Sequence, residues 1–389
     1  MASLKFASWL AGFALAAALA LPAKAQQAGQ TVRLVNVSEL SGAGATAGTN
    51  WRNGIDLAVS QINARGGILG RQIQIVHYDT QTNPGASRAA VQRAIDEDAY
   101  AVLGPVFSGP ISASMQIAQR AEVTQIVGGE AANLTRQGNP FIFRTSLSQA
   151  AAMPKIAAYL RDTVKATKIA VIFVNNDFGK GGRDAIIPEL TSRGMQVVAD
   201  ISTEQGQTDF AADAIRIKNS GADAVFVYLN EDESARFLRA ARQQGISVPL
   251  VGETTLLGQK VIELAGDAAN GARGHVGLSI DAPVPAFQEF GRQFRERFNT
   301  TPDHNGLKGY MAVFMIKWAT EKMGRFDRKG LAAALRGATI TPAMEPGILI
   351  TTRIEQNGDL DRESFLGEVV NGRQVINVTL PMLRPAGTQ

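Results

Sequence analysis

From residue 32 onward, short apolar runs alternate with longer stretches of helical spacing. Val32–Val37, Ile73–Tyr78, Ala101–Leu103 and Thr124–Val127 are rich in β-branched residues and bounded by Gly, Pro or Asn, the marks of strands. Between them Ile55, Val59 and Ile62 recur on one helix face, and Gly66-Gly67 stops that helix just beyond Asn63. Pro84 opens the next helix, with Ala86, Ala90, Ala94 and Ile95 along it. Strands that alternate with helices predict a parallel sheet covered on both faces.

After Phe141–Arg144 the alternation restarts. Lys168–Val174, Gln196–Ile201, Ala224–Tyr228 and Leu250–Gly252 form a second strand set, separated by helices around Gly182–Arg193, Asp209–Asn219 and Asp232–Gln244. Pro188 is expected to kink or break the first of these. A last strand, Gly274–Ile280, ends before Pro283 and Pro285. Three helices follow with no strand between them: Ala286–Phe298, Leu307–Lys322 and Lys329–Leu335. From Gly347 to Val378 the character changes, and Asn357-Gly358 and Asn371-Gly372 punctuate short strands as hairpin turns do. No Gly-, Ser- or Pro-rich linker divides the two alternating sets, which predicts two α/β lobes connected by several crossings.

The N-terminus bears on the compartment. Lys5 precedes an uncharged, mostly apolar stretch from Phe6 to Leu21, and Ala23-Lys24-Ala25 follows as a small-residue cleavage site. These are the parts of a secretory signal peptide over residues 1–25, and the apolar stretch is short for a membrane anchor. With no Cys near the cut to carry a lipid, the mature chain is expected to float free in a periplasm. The formal net charge is +4, of which Lys5 and Lys24 contribute half. So small an excess, without a Lys/Arg run, leaves no electrostatic footprint for nucleic acid or an anionic membrane. Cys is 0, which excludes thiol catalysis, thiolate zinc sites and iron–sulfur clusters, and leaves stability to the cores.

Catalytic motifs fare poorly. Gly42-Ala43-Gly44-Ala45-Thr46-Ala47 satisfies G-x-G-x-x-G/A between a strand and a helix, the context of a dinucleotide site. The acidic residue that should follow by about 20 positions is missing, Asp79 being too far along. There is no G-x-S-x-G elbow, and His77, His275 and His304, the three histidines, form no H-E-x-x-H. Gly179-Lys180 lacks the rest of a P-loop. Glu231-Asp232-Glu233 lies at a strand-to-helix junction, where acids commonly favour a helix N-terminus.

What recurs is a small or hydroxyl residue just beyond a strand's C-terminus. Ser41-Gly42, Ser108-Gly109 and Gly128-Gly129-Glu130-Ala131 do so in the first set. In the second, Asn175-Asn176-Asp177-Phe178, Leu229-Asn230 and Glu253-Thr254-Thr255 do the same. Taken singly, each is ordinary loop composition. Open α/β sheets, however, bind ligands outside the carboxyl ends of their strands, and helix N-termini there favour a carboxylate. Two such rims, face to face, would make a cleft.

The order of these motifs resembles the leucine/isoleucine/valine-binding protein family, the ligand receptors of ABC importers. The resemblance rests on Ser41-Gly42, the run from Ile62-Asn63-Ala64 through Gly66-Gly67-Ile68 to Gly70, Asp79 with Pro84, Gly104-Pro105 with Ser108, Phe143-Arg144-Thr145 and Asn176-Asp177-Phe178-Gly179. It covers essentially the whole chain after the leader. It implies a type I periplasmic binding fold, α/β, with two doubly wound lobes joined by three crossover strands. Lobe 1 would take residues 30–146 and 281–345, and lobe 2 residues 147–280 and 346–389. An inner-membrane permease with its ATPases would be the partner of a monomeric receptor needing no cofactor and doing no chemistry.

Carried across residue by residue, Ser108 matches the serine that holds a ligand carboxylate, and Gly129 and Ala131 match positions that offer backbone N–H groups beside it. Phe178 falls where the family often places a tyrosine. Three positions depart: Ala131 replaces a threonine, Asn230 replaces a second aromatic, and Thr254 stands where an acid would pair a ligand ammonium. Glu253 or Glu130 could supply that charge. An aliphatic amino acid and another small carboxylate, such as an aromatic acid, both stay open as ligands. A ligand sensor of the same fold and an exported dinucleotide-dependent enzyme are the rival functions.

Overall fold

The computed structural model describes residues 31–383, so the expected leader and its cleavage site lie outside the described part. The first sheet consists of β1 (Val32–Ser38), β2 (Ile73–Asp79), β3 (Ala101–Leu103), β4 (Thr124–Val127) and β5 (Ile142–Arg144). They are all parallel, in the order β2-β1-β3-β4-β5. Helices α1 (Ala45–Ala64), α2 (Pro84–Asp96) and α3 (Ser108–Arg120) connect them. Strand order reverses at β1, the switch point where a doubly wound sheet opens a crevice at its carboxyl edge.

The chain then enters a second unit. Its helices are α4 (Gln149–Tyr159), α5 (Asp177–Ser192), α6 (Ala211–Asn219), α7 (Glu231–Gln243), α8 (Thr254–Leu257) and α9 (Gln259–Ala265). Its strands are β6 (Lys168–Val174), β7 (Gln196–Thr203), β8 (Ala224–Tyr228), β9 (Leu250–Gly252) and β10 (Arg273–Val276). Helices α10 (Pro285–Phe298), α11 (His304–Met323) and α12 (Arg328–Leu335) come next. The tail adds β11 (Thr339–Ile340), β12 (Thr352–Ile354), β13 (Leu360–Asp361), β14 (Ser364–Val370) and β15 (Arg373–Leu380). The second sheet has the order β15-β14-β10-β9-β8-β6-β7, and β11, β12 and β13 make a small antiparallel sheet of their own. In the second sheet β14 runs antiparallel to β10 and pairs with β15 as a hairpin. Asn371 and Gly372, with φ of 50° and 71°, make its turn, as the Asn-Gly pair predicts.

Three sequence expectations meet different outcomes. α1 starts at Ala45, well before the apolar pattern begins, because its first turns pack through small residues; a Cβ on Gly48 would lie 2.0 Å from Glu39 O. α5 runs through Pro188, which falls in the helix's final turns and removes one N–H from the ladder. β10 ends at Val276 rather than Ile280, since Gly277 N leaves the sheet to donate to Thr254 Oγ1 at 3.0 Å. α4 gave no clear signal: its run of Ala around an internal Pro154 is buried yet carries little periodicity.

The helices that lacked strands between them find their place against the first sheet. α11 is buried along most of its length and crosses α1 at very short range. A Cβ on Gly54 would sit 2.0 Å from Gly306 O, and one on Gly309 would sit 2.2 Å from Trp51 O. Glycine is required there by contact between two backbones, not by a turn. Gly309→Ala should therefore force α1 and α11 apart and destabilise the protein by about 1–3 kcal/mol, as overpacking does. Urea denaturation measures this, and an unchanged midpoint would show that the crossing is not tight.

Candidate ligand-binding cleft

Both sheets turn their carboxyl edges toward a common cavity, a small one of about 30 Å³. From the first sheet come Val106, Phe107 and Ser108 after β3, and Gly128, Gly129 and Glu130 after β4. From the second come Phe178 after β6, Asn230 and Glu231 after β8, and Thr255 after β9. His304, Asn305 and Lys308, from the first turns of α11, complete the lining. The two units touch across the rim: Thr46 Oγ1 donates to Asp232 Oδ1 at 3.0 Å, and Asn305 Nδ2 donates to Glu231 Oε1 at 3.0 Å. The cleft is closed.

Buried charges shape the first wall. Glu39, at the end of β1, accepts N–H bonds from Val106 and Phe107 at 3.0 and 3.1 Å, fixing the loop that leads into Ser108. Burial pushes its carboxyl up to about 7 against the pull of those bonds. Arg144, at the end of β5, donates to Gly129 O, Ala131 O and Thr135 Oγ1 at 3.2, 3.1 and 3.0 Å, and its Nε lies 3.3 Å from Asp359 Oδ1. Ser146 Oγ adds a bond to Gly129 O at 2.7 Å. With its carbonyls held behind, this loop keeps its shape. Ser108 begins α3, and its Oγ accepts the Ala131 N–H at 3.3 Å.

The opposite wall is aromatic and amide in character. Phe178 stacks on Tyr228 with centroids 4.2 Å apart, and Gln149 Nε2 ties the pair by donating to Phe178 O at 2.7 Å and Tyr228 Oη at 3.1 Å. Asn230 caps α7, with its backbone N and its Nδ2 both donating to Glu233 Oε2.

Four carboxyls crowd this region, and burial raises each. Glu130 is pushed up to about 7 by burial and then by Glu253, against the pull of Lys308, whose Nζ donates to its Oε1 at 2.8 Å. Glu231 is raised to about 8 by burial and by Asp303 nearby. Asp303 is raised to about 6, although its Oδ1 accepts the N–H groups of Asn305 and Gly306. Glu253 is also raised by burial; it accepts from Thr254 N and Oγ1 at 2.6 and 2.8 Å and lies 3.0 Å from His275 Nδ1. His304 is held well below its usual range by burial, so it is neutral. Among the described residues one set could hold a metal ion: Glu231, Asp303 and His304 bring one ligand atom each within 4.8 Å of one another, across the two units.

Of the residues singled out in the sequence, Ser108, Gly129, Glu130, Phe178 and Asn230 line the cavity. Ala131 lies just behind it through its bond to Ser108. Glu253 and Thr254 bond to each other and do not line it; Thr255 does. Ser41 is exposed and bonded to Asp79. Thr255 belongs to the rim motif Glu253-Thr254-Thr255, whereas the sequence missed Glu231, His304, Asn305 and Lys308 as site residues. A lysine inside an otherwise apolar helical run was the one available signal for Lys308.

Comparison with known proteins agrees with this geometry. A family model described as periplasmic binding protein matches residues 31–374. The leucine-, isoleucine-, valine-, threonine- and alanine-binding protein of Pseudomonas aeruginosa is 25% identical over 352 residues, which cover 90% of this chain and 92% of that one. The Leu/Ile/Val-binding protein of Escherichia coli is 27% identical over 258 residues, 66% of this chain and 70% of that one. Two solved structures share the fold. The branched-chain amino acid substrate-binding protein LivJ of Streptococcus pneumoniae, in complex with isoleucine, superposes with a TM-score of 0.82 at 24% identity, covering 92% of this chain and 100% of that one. A solute-binding protein of R. palustris in complex with benzoate gives 0.83 at 21%, covering 92% and 98%. With a family model spanning nearly all described residues and two doubly wound units closing on one cavity, the chain belongs to the periplasmic binding protein family and has its type I fold.

Proposed function

We propose that this chain is the periplasmic receptor of an ABC importer, capturing a small carboxylate between two closing lobes and delivering it, unaltered, to an inner-membrane permease. Lobe 1 corresponds to residues 30–146 and 281–345, and lobe 2 to residues 147–280 and 346–389, with export directed by the leader over residues 1–25. The observation that carries the reading is the closed cavity between two sheet edges, with no nucleophile–base pair among its lining residues. Relatives named for branched-chain amino acids, and a structural neighbour holding benzoate, support a small carboxylate as cargo. A thermal-shift screen of amino acids and organic acids tests it, since a ligand that binds only the folded state raises its melting temperature. A flat response across both panels would count against the assignment.

Capture by closure is a rigid-body event. The chain passes between the two sheets after β5, after β10 and again before β14, and such short passages act as hinges. Saturating ligand should reduce the radius of gyration measured by small-angle scattering. If calorimetry reports binding while the radius stays constant, the clamp is wrong.

In this reading Ser108 anchors the carboxylate at the start of α3, where a free N-terminal N–H field adds to its hydroxyl. Ser108→Ala should weaken binding about ten- to a hundredfold, the loss of a hydrogen bond to a charged group worth roughly 1.5–3 kcal/mol. A purely structural serine, valued for its bond to Ala131 N, would instead lower the melting temperature and leave affinity alone. Titrating the acid and its neutral amide into both proteins separates the two.

A further inference from the structure

Lys308 is the one cationic side chain among the residues that line the cavity. It projects from the second turn of α11, is buried, and belongs to the same wall as Ser108. Its Nζ lies 2.8 Å from Glu130 Oε1 and 3.5 Å from Gly128 O. An ammonium has three N–H donors, so one is left for whatever fills the cavity. A charged donor directed into a buried cavity favours an acceptor there, and bonds a carboxylate more strongly than a neutral oxygen.

The carboxyls around it offer little to a cation. Glu253 is turned to Thr254 and His275 and is not part of the lining. Glu130 is already paired with Lys308. Glu231 faces the cavity, but its Oε1 already accepts from Asn305 Nδ2 at 3.0 Å. An ammonium entering the closed cleft would have to displace Asn305 from Glu231 or break the Glu130–Lys308 pair, and either is costly.

We propose that Lys308 is the cationic anchor of the bound molecule and that the cleft selects organic acids without an α-ammonium group over amino acids. This rests on the reading of the cleft as the site that captures a small carboxylate. Ser108 and the Gly129–Ala131 loop then orient the carboxylate, while Lys308 supplies the opposing charge.

Calorimetry with leucine, its deaminated counterpart 4-methylpentanoate, and benzoate tests this on the full-length mature protein. At least one of the two acids should bind tenfold or more tighter than leucine. Lys308→Met alone would strand Glu130 and could unfold the site, so the informative variant is Lys308→Met combined with Glu130→Gln, which removes the pair as a unit. That variant should lose the acid about ten- to a hundredfold, whereas Glu130→Gln alone, which frees Lys308, should tighten it. Leucine binding as well as or better than the acids, or a folded double variant that keeps the acid's affinity, overturns the inference while leaving a small-carboxylate receptor intact. Failure of all three compounds to bind the unaltered protein also overturns the inference, and the small-carboxylate reading falls with it only where the wider thermal-shift panels are flat too.

Discussion

The cleft depends on one buried guanidinium. Arg144 is almost wholly removed from water, and a charge in that position is tolerated only where acceptors replace its hydration. Gly129 O, Ala131 O and Thr135 Oγ1 do so, and Asp359 supplies the counter-charge from the loop between β12 and β13. Each acceptor is thereby held at a fixed place around a planar fork. The consequence lies on the other face of the same peptides, where the 128–131 loop meets the cavity and the Ala131 N–H meets Ser108. Glu39 does the complementary job for the neighbouring loop, accepting from two successive N–H groups just before Ser108. One guanidinium and one carboxyl, both buried, preorganise the two loops of one wall.

The second wall is held differently. Phe178 and Tyr228 are stacked, and Gln149 reaches them from α4 while its own backbone N donates to Glu130 O at 2.9 Å. Gln149 therefore bonds to residues of both rims from a single position at the start of α4. That is where the chain first leaves the first sheet for the second, so the crossing and the floor of the cleft are one structure.

The strands were legible because β-branched runs between Gly and Pro need only local information, and β1, β3, β4, β6, β8 and β9 sit close to where the pattern puts them. α4 was not, since its Ala-rich surface has no polar face to set a period. The site divides in the same way. Ser108, Gly129, Glu130, Phe178 and Asn230 follow strands directly, and a strand's carboxyl end is a position that sequence can mark. His304, Asn305 and Lys308 reach the cavity only because α11 packs on α1 through Gly54, Gly306 and Gly309, a contact between segments far apart in the chain. Glu231 was legible as a residue but not as a role. An acid at a helix start is common, and its burial against α11 depends on the closed arrangement.

The start of α11 is where the two units meet through polar groups. Asn305 Nδ2 donates to Glu231 Oε1 at 3.0 Å, and Asp303 Oδ1 accepts the N–H groups of Asn305 and Gly306. Burial, and then Asp303 nearby, raises the Glu231 carboxyl in this arrangement. In the receptor proposed above, the lobes exchange between open and closed arrangements, and opening would expose this end of α11. A ligand shifts such an equilibrium only by its differential affinity for the two states. The cargo must therefore make contacts with both walls at once, and a molecule that satisfied only the Ser108 wall would bind without closing the cleft. In the proposed clamp, closure is thus contingent on a ligand that spans the gap between the Ser108 wall and the Phe178 wall.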